Sequence, residues 1–288
     1  MADFSDILLT VDYDRTLTAP DSTVPERNIT AIRWFIANGG AFTVNTGRSL
    51  PMTRAFRDTV PVNAPLLLYN GSAAYDLEKG ALCFCHRIDL PQEQTVSELI
   101  RLLPDMTVEV QGLDAHYCFG SNPLWERFSE NNRCAWGRAE PGDDLGPFMK
   151  FSLYGKFHDT TLAGMYTGTA GELEQLDRVE EMLKVRFGDR CEVFRAAPRI
   201  IDIHAKGVSK KRSARELQQK LGRKYLICVG DGENDVTMLD GADYAYCPAD
   251  AIVADRYENV CPCAEGSVAD VIYKKIPEIL EKKLDKRV

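Results

Sequence analysis

Two pairs of aspartates follow short apolar runs in distant parts of the chain. The pairs are Asp12 with Asp14 and Asp231 with Asp235, and the runs before them occupy residues 7–11 and 225–229. Short aliphatic runs are typical of strands that are buried on both faces of a parallel sheet. Such sheets bind ligands just outside the carboxyl ends of their strands. We therefore expect the four carboxylates to lie around one site.

Carboxylates that share a site repel one another, and a divalent cation would relieve the repulsion. Asp12 and Asp14 are two residues apart, so in an extended chain their side chains point the same way. Oxygen ligands of this kind suit Mg²⁺. Aspartate is also common in turns that follow strands, so each pair alone has a structural explanation. The two pairs together favour a magnesium site.

Residues 41–45 are predicted to form another strand, which leads into Thr46, Gly47 and Arg48. A hydroxyl and backbone N–H groups at a strand-to-helix turn can bind a phosphate. An arginine guanidinium pairs well with the same anion. The alternative is structural: Thr46 caps a helix that begins near Pro51, and Arg48 is a solvated residue at its start. The residues alone leave both explanations open.

Asn70 and Lys210 are two further candidates for contacts to substrate. The Asn-Gly dipeptide at Asn70 follows a predicted strand at residues 66–69 and is typical of a hairpin turn, with a substrate contact as the alternative. Lys210 lies in the first turn of a predicted helix at residues 210–220, where a positive charge opposes the helix dipole. A bound anion would offset that cost, which favours Lys210 as a phosphate-binding residue. Lys206 is the alternative.

In chain order these residues resemble the four motifs of the haloacid dehalogenase-like phosphatases. The matching stretches are Asp12-x-Asp14-x-Thr16, Asn45-Thr46-Gly47-Arg48, Lys210, and Gly230-Asp231-x-x-Asn234-Asp235. The sequence is most similar to the Cof-type branch, whose α/β cap is inserted between the second and third motifs. The resemblance covers the whole chain. This sequence departs from the family's usual glycines at Arg15 and Lys211.

The resemblance implies an α/β protein with a Rossmann-like parallel-sheet core and an inserted, smaller α+β cap domain. The core would comprise residues 1–86 and 203–288, and the cap would comprise residues 87–202. Helix–strand–strand patterns in the middle of the chain agree with a separate α+β layer.

The resemblance also implies a role for each candidate residue. Asp12 would attack phosphorus and form an aspartyl-phosphate, while Asp14 would act as general acid and base. The metal residues would be Asp12, Asp14, Asp231 and Asp235. The phosphate-binding residues would be Thr46 and Lys210, and the substrate-binding residues would be Arg48, Asn70 and Asn234. Asp14 would bind the metal through its backbone carbonyl.

We therefore predict a magnesium-dependent phosphatase, a phosphoric monoester hydrolase that acts on small phosphorylated metabolites such as sugar phosphates. A phosphotransferase of the sugar phosphomutase type would use the same motifs, and it is the first alternative. A non-catalytic phosphometabolite-binding protein is the second alternative. Intact motif aspartates and Lys210 argue against a non-catalytic binder.

Composition limits the classes of partner. The 288-residue chain carries a formal net charge of −8 and a sequence pI near 5.2, which argues against a generic nucleic-acid or membrane-surface binder. No stretch approaches the roughly 18 apolar residues of a membrane span, and the acidic N-terminus does not resemble a signal peptide. We expect a cytoplasmic monomer or homodimer with a small-molecule substrate. The nine cysteines do not have the Cys-x-x-Cys spacing of zinc or redox sites.

Overall fold

The computed structural model describes residues 3–120, 122–155 and 169–284 of the chain. These residues form two compact units. We call residues 1–46, 58–84 and 209–288 the core unit, and residues 47–57 and 85–208 the inserted unit. The boundaries predicted from the sequence, 86/87 and 202/203, stay predictions of where one domain gives way to the other.

Helices separate single strands or groups of consecutive strands along the chain. The strands are β1 (Ile7–Val11), β2 (Ala41–Val44), β3 (Leu66–Leu68), β4 (Ala73–Asp76), β5 (Ala81–Cys85), β6 (Met106–Gly112), β7 (His116–Phe119), β8 (Trp136–Arg138), β9 (Phe148–Gly155), β10 (Cys191–Ala197), β11 (Ile200–Ala205), β12 (Tyr225–Val229), β13 (Tyr244–Pro248) and β14 (Glu258–Val260). The helices are α1 (Glu26–Ala37), α2 (Gln92–Leu102), α3 (Pro123–Asn131), α4 (Ala170–Phe187), α5 (Lys210–Lys220), α6 (Val236–Asp240), α7 (Ser267–Asp270) and α8 (Ile276–Leu284).

The core unit is built on a five-stranded parallel sheet in the order β14-β13-β12-β1-β2. All five residues of β1 are buried, as expected for a central strand covered on both faces. In the register between β1 and β12, Val11 pairs with Val229. The carboxyl ends of these two strands therefore meet at one edge of the sheet.

A second, three-stranded sheet continues the core unit in the order β3-β4-β5. A parallel bridge between Asn45 and Leu67 joins the end of β2 to β3. Asn70 has a φ of 54° and lies in the turn that connects the antiparallel strands β3 and β4. The hairpin turn predicted at the Asn-Gly dipeptide is confirmed.

The helices α5 and α6 pack in the apolar core of the core unit. Their contributions to this core include Ala214, Leu217 and Met238.

The inserted unit contains a six-stranded sheet in the order β10-β11-β9-β6-β7-β8. One face of this sheet is apolar, and Val108, Phe151 and Ile201 contribute to it. The helices α2 and α4 cover that face with residues such as Leu99 and Leu183, which belong to the same buried cluster. This is the arrangement of a mixed α+β layer.

The opposite face of the same sheet carries a buried polar network. Strand alternation places Glu109 and Gln111 of β6 opposite the apolar side chains of that strand. Gln111 Nε2 donates to Glu109 Oε2 at 2.9 Å and lies 3.4 Å from Ser152 Oγ. Ser152 Oγ and Lys150 Nζ each donate to Asp202 at 2.6 Å. The network thus joins three strands, and its members are less than a tenth exposed.

A histidine links this network to the short segment 47–57. His116 Nδ1 lies 2.8 Å from Glu109 Oε1, and His116 Nε2 lies 2.7 Å from Ser49 Oγ. A serine, a histidine and a carboxylate in this order also occur in hydrolytic triads. Here the Ser49 side chain is fully buried and offers no surface for attack. We therefore read the arrangement as an anchor for segment 47–57.

The predicted fold class, an α/β protein with a parallel-sheet core and a separate α+β unit, is confirmed. Two short strands depart from the sequence prediction. Residues 132–147 are predicted as one long loop, but they contain β8. The helix predicted after Pro248 is wrong, because residues 249–257 form turns and bends that lead into β14. Each strand has three residues at a sheet edge, too few for a periodic pattern. Of the helices within the described ranges, none is long and apolar enough to cross a membrane.

We expect Asp202→Ala to lower the free energy of unfolding of the inserted unit by about 3–5 kcal/mol, because it leaves the buried Lys150 ammonium without its carboxylate. Urea denaturation would measure the loss. Glu181→Ala is a matched control, since Glu181 forms an exposed ion pair with Lys184 whose loss costs about 0.5 kcal/mol or less. Equal, small losses in both variants would contradict a stabilising network.

The same carboxylate gives a pH dependence. Burial would raise the pKa of Asp202, but the Lys150 ammonium and the His204 ring outweigh burial and hold it below the ordinary value. A carboxyl group with a lowered folded-state pKa stabilises the fold above its unfolded pKa of about 4 and loses that contribution as pH falls. Stability of the wild type should therefore fall on acidification below about pH 4 more steeply than that of Asp202→Asn.

Candidate active site at the carboxyl ends of β1 and β12

Three buried carboxylates meet where β1 and β12 end. Asp12 follows β1, and Asp231 and Asp235 lie in the turn after β12. One carboxylate oxygen from each of the three lies within 4.8 Å of the others. The parallel pairing of the two strands brings these residues together although more than 200 positions separate them in the chain. The structure thus brings together three of the four aspartates expected at one site.

Lys210 lies between two of these carboxylates. Its Nζ atom donates to Asp12 Oδ1 and to Asp235 Oδ1, both at 2.6 Å. The side chain is 1% exposed, so these charge-assisted hydrogen bonds are shielded from water. Lys210 is the first residue of α5, as predicted, and Ser209 caps this helix by accepting from Arg212 N at 3.2 Å.

Asp235 organises the turn in which it lies. Its Oδ2 accepts from the backbone N–H groups of Asp231 and Gly232, each at 3.0 Å, while its Oδ1 accepts from Lys210. Gly230 leaves room for this contact, since a Cβ there would lie 2.6 Å from the Asp235 side chain. Both oxygens of Asp235 are therefore used for holding the turn and the lysine.

The charges of the cluster shift its pKa values strongly. Burial raises the pKa of Asp12 well above its ordinary value, against the Lys210 ammonium, and the negative charges of Asp235 and Asp231 raise it further. Burial and the nearby Asp235 likewise raise the pKa of Asp231 to about 6. Burial alone would lower the pKa of Lys210, but Asp12 and Asp235 outweigh it and hold the pKa above its ordinary value. The lysine therefore stays charged.

The donor set fits a divalent cation. With all three carboxylates ionised, the single Lys210 ammonium leaves an excess of two negative charges in a buried cluster. Burying an excess charge is costly unless it is paired, and a hard dication with oxygen ligands would balance it. Asp12 and Asp231 fit best as ligands, because Asp235 already uses both oxygens.

Asp14 and Arg15 lie in the turn directly after β1. Asp14 is half-buried and is not part of the cluster of three carboxylates. Arg15 has a φ of 58°, which lies in the left-handed region that favours glycine. The glycine that the family resemblance leads us to expect here would adopt this conformation without strain. In the same turn Thr16 Oγ1 donates to Asp231 Oδ1 at 3.1 Å and joins the turn to the carboxylate cluster.

The predicted phosphate- and substrate-binding residues of the core unit lie near the strand ends. Thr46 follows β2, its N–H donates to Leu67 O at 2.9 Å, and its carbonyl accepts from Asn70 N at 3.0 Å. The Thr46 and Asn70 side chains are buried, and Asn234 is half-buried in the turn after β12. Their contacts to phosphate or substrate stay predictions.

Three further basic residues have contacts of their own. Arg48 belongs to the inserted unit, where its NH1 donates to Asn132 Oδ1 at 2.7 Å, and its role in substrate binding stays a prediction. Lys206 donates to Gly188 O at 2.5 Å in the same unit, and the lysine that contacts Asp12 in the core unit is Lys210. Lys211 packs its side-chain stem against Gly241, where a Cβ would lie 2.5 Å away.

Two residues that the sequence reasoning did not assign to the site also contact it. Thr16 is within the first motif, and its spacing from Asp12 was the available indication. Asn45 precedes Thr46, and its Nδ2 donates to Lys210 O at 3.0 Å. A polar residue at the end of an otherwise apolar strand indicates that its side chain makes a hydrogen bond, but it does not indicate which residue accepts that bond.

Comparison with known proteins agrees with this architecture. Residues 9–254 match the family described as haloacid dehalogenase-like hydrolases. A 5-amino-6-(5-phospho-D-ribitylamino)uracil phosphatase of Bacillus subtilis is 20% identical over 238 residues, which cover 82% of this chain and 80% of that protein. A haloacid dehalogenase-like hydrolase from Bacteroides thetaiotaomicron has a similar structure, with a TM-score of 0.76 at 20% identity over 93% of this chain and 98% of the other. A HAD subclass IIB sugar phosphatase has a TM-score of 0.74 at 16% identity, over 92% and 97% of the two chains.

We expect Arg15→Gly to raise the free energy of unfolding by about 1 kcal/mol, because it removes a side chain from a left-handed backbone position. Urea denaturation would measure the gain. Arg15→Ala keeps the Cβ atom and should give no such gain, so it separates backbone conformation from loss of the guanidinium charge. An equal gain in both variants would assign the effect to the charge instead.

Proposed function

Because the chain belongs to the haloacid dehalogenase-like hydrolases and is a phosphoric monoester hydrolase, we propose that it hydrolyses small phosphorylated metabolites, sugar phosphates in particular, in a magnesium-dependent reaction. One relative is a phosphatase of a phosphoribityl compound, and one protein of similar structure is a sugar phosphatase. These support a small phosphate monoester as the substrate class.

The position of Lys210 is the observation that supports the proposal most directly. The Lys210 ammonium lies 2.6 Å from Asp12 and 2.6 Å from Asp235 in a buried cluster of carboxylates. A positive charge beside the proposed nucleophile stabilises the negative charge that collects on phosphoryl oxygens during transfer. The same charge opposes the rise in the pKa of Asp12 that burial and the neighbouring carboxylates cause, and so favours its ionised, nucleophilic form.

The proposed reaction has two steps. A carboxylate oxygen of Asp12 attacks phosphorus, and the bond from phosphorus to the ester oxygen breaks while Asp14 gives that oxygen a proton. Asp14 then takes a proton from water, which attacks phosphorus and releases phosphate and the free Asp12 carboxylate. Asp14 is half-buried in the turn next to Asp12, which suits a group that exchanges protons with water. Thr46 and Lys210 would hold the phosphoryl oxygens through both steps.

Mg²⁺ would be held by Asp12 and Asp231, with the Asp14 backbone carbonyl as the further protein ligand that the family resemblance implies. When bound, it would supply charge neutralisation and orient the phosphate for in-line attack. Asp235 would position Lys210 from behind, as its hydrogen bonds to the lysine and to the turn indicate.

Hydrolysis of p-nitrophenyl phosphate by the purified protein tests the proposal. We expect turnover with Mg²⁺, loss of turnover with a chelator, and a decrease in kcat of about 10³-fold or more for Asp12→Asn, because the nucleophile is gone. Thermal unfolding of metal-free Asp12→Asn should show a fold at least as stable as the wild type, because one of the crowded, buried carboxylates is removed.

Two outcomes would contradict the proposal. Turnover that survives in Asp12→Asn would exclude the aspartyl-phosphate route, and turnover that is indifferent to chelator would exclude the metal. With a sugar phosphate as substrate, release of inorganic phosphate in step with substrate loss separates hydrolysis from the phosphomutase alternative, which would return an isomerised sugar phosphate instead.

A further inference from the structure

Asn45 is a fully buried amide at the end of β2, within the core unit. Its Nδ2 donates to the backbone carbonyl of Lys210 at 3.0 Å and lies 3.4 Å from Met238 Sδ. The backbone N–H of Asn45 continues the parallel sheet by donating to Val11 O at 2.8 Å. The side chain therefore connects the strand end directly to the first residue of α5.

Lys210 needs such a connection because its side chain is long. A lysine ammonium is a point charge on a flexible four-carbon stem. The Lys210 ammonium lies 2.6 Å from both Asp12 and Asp235, and a fixed backbone limits how far it can move from this position. Catalytic geometry has little tolerance, since a displacement of about 1 Å can cost about 100-fold in rate.

Asn45 also precedes Thr46, the residue proposed to bind phosphate with Lys210. Thr46 is fixed to β3 through its backbone bond to Leu67 O. Asn45 thus joins β2 to β1 through its backbone N–H and to α5 through its side-chain amide. Asn45 is bonded to Thr46 through the chain and to the Lys210 backbone through its amide, so it connects the two residues that would hold the phosphoryl oxygens.

The free-energy cost of burying the Asn45 amide indicates that this side chain does more than fill space. Within the described part of the chain, Asn45 Oδ1 is buried and accepts no hydrogen bond. A buried acceptor without a donor destabilises the fold, whereas an apolar side chain of the same shape would not. A leucine would therefore fill this space at least as well, and the donor function of Nδ2 is what distinguishes asparagine.

We propose that Asn45 is a positioning residue that sets the place of Lys210 relative to Asp12 and Thr46. The inference rests on the proposed phosphatase function. Asn45 touches neither substrate nor metal in this role, and it acts on the reaction only through the backbone of Lys210.

The test is Asn45→Leu, which keeps the shape of the side chain and removes the donor. With p-nitrophenyl phosphate and Mg²⁺ we expect kcat to fall about tenfold while KM changes less than about twofold, because Lys210 serves the transition state more than the ground state. Urea denaturation should show stability equal to or above that of the wild type. Asn45→Ala, which is smaller and cannot clash, serves as the second variant if Asn45→Leu does not fold.

Ser213→Ala is the matched control. Ser213 Oγ also donates to Lys210 O, at 3.1 Å, but it lies in α5 and cannot tie that helix to β2. We expect this variant to keep kcat within about twofold of the wild type. Inhibition by orthovanadate completes a double-mutant cycle: Asn45→Leu should raise the inhibition constant in the wild-type background and leave it unchanged in the Lys210→Met background.

Each result decides between the two proposals. If the wild type turns over and Asn45→Leu has the same kcat, the positioning role is overturned and the phosphatase function stands. The same holds if Asn45→Leu changes the inhibition constant of orthovanadate equally with and without Lys210. A loss of stability that accounts for the whole loss of activity would assign Asn45 to packing. Absence of turnover in the wild type would overturn the proposed function, and the positioning role with it.

Discussion

The structure depends on one electrostatic constraint: three carboxylates are buried together with one ammonium. Asp12, Asp231 and Asp235 would repel one another in a dry cluster, and Lys210 lies where it contacts two of them. Folding this cluster has a cost, as the raised pKa values of Asp12 and Asp231 indicate. A sequence selected for stability alone would not bury such a group, so the cost itself is an argument that the cluster performs chemistry.

The surrounding elements are arranged to hold that cluster rigidly. Parallel pairing of β1 with β12 brings two distant strand ends together, and the turn after β12 is braced by the two backbone bonds to Asp235. Thr16 braces the turn after β1 against Asp231. The fold therefore supplies preorganisation, because each charged side chain is fixed by a neighbour that is itself fixed by the sheet or by a helix terminus.

Much of this could be predicted from local pattern. Apolar runs followed by aspartates predicted β1 and β12 and the site at their ends, and the cap residue Ser209 predicted a helix that begins at Lys210, as the structure has it. What could not be predicted depends on tertiary partners. The alternation in β6 indicates that Glu109 and Gln111 share a face, but not that this face is buried against Ser152 and His116. In the same way Asn45 stands out as polar, while its partner Lys210 lies 165 residues further on.

The division of the chain between the two units has a consequence for the order of folding. The strand β1 pairs with β12, which follows it by more than 200 residues, whereas every strand of the inserted unit's sheet lies between residues 106 and 205. Contacts between distant residues form slowly, because a long loop must close before they are made. During synthesis the inserted unit's sheet can therefore be complete while β1, which can already pair with β2, still lacks β12 on its other edge. The nascent chain thus exposes one edge of an apolar strand until β12 has been made.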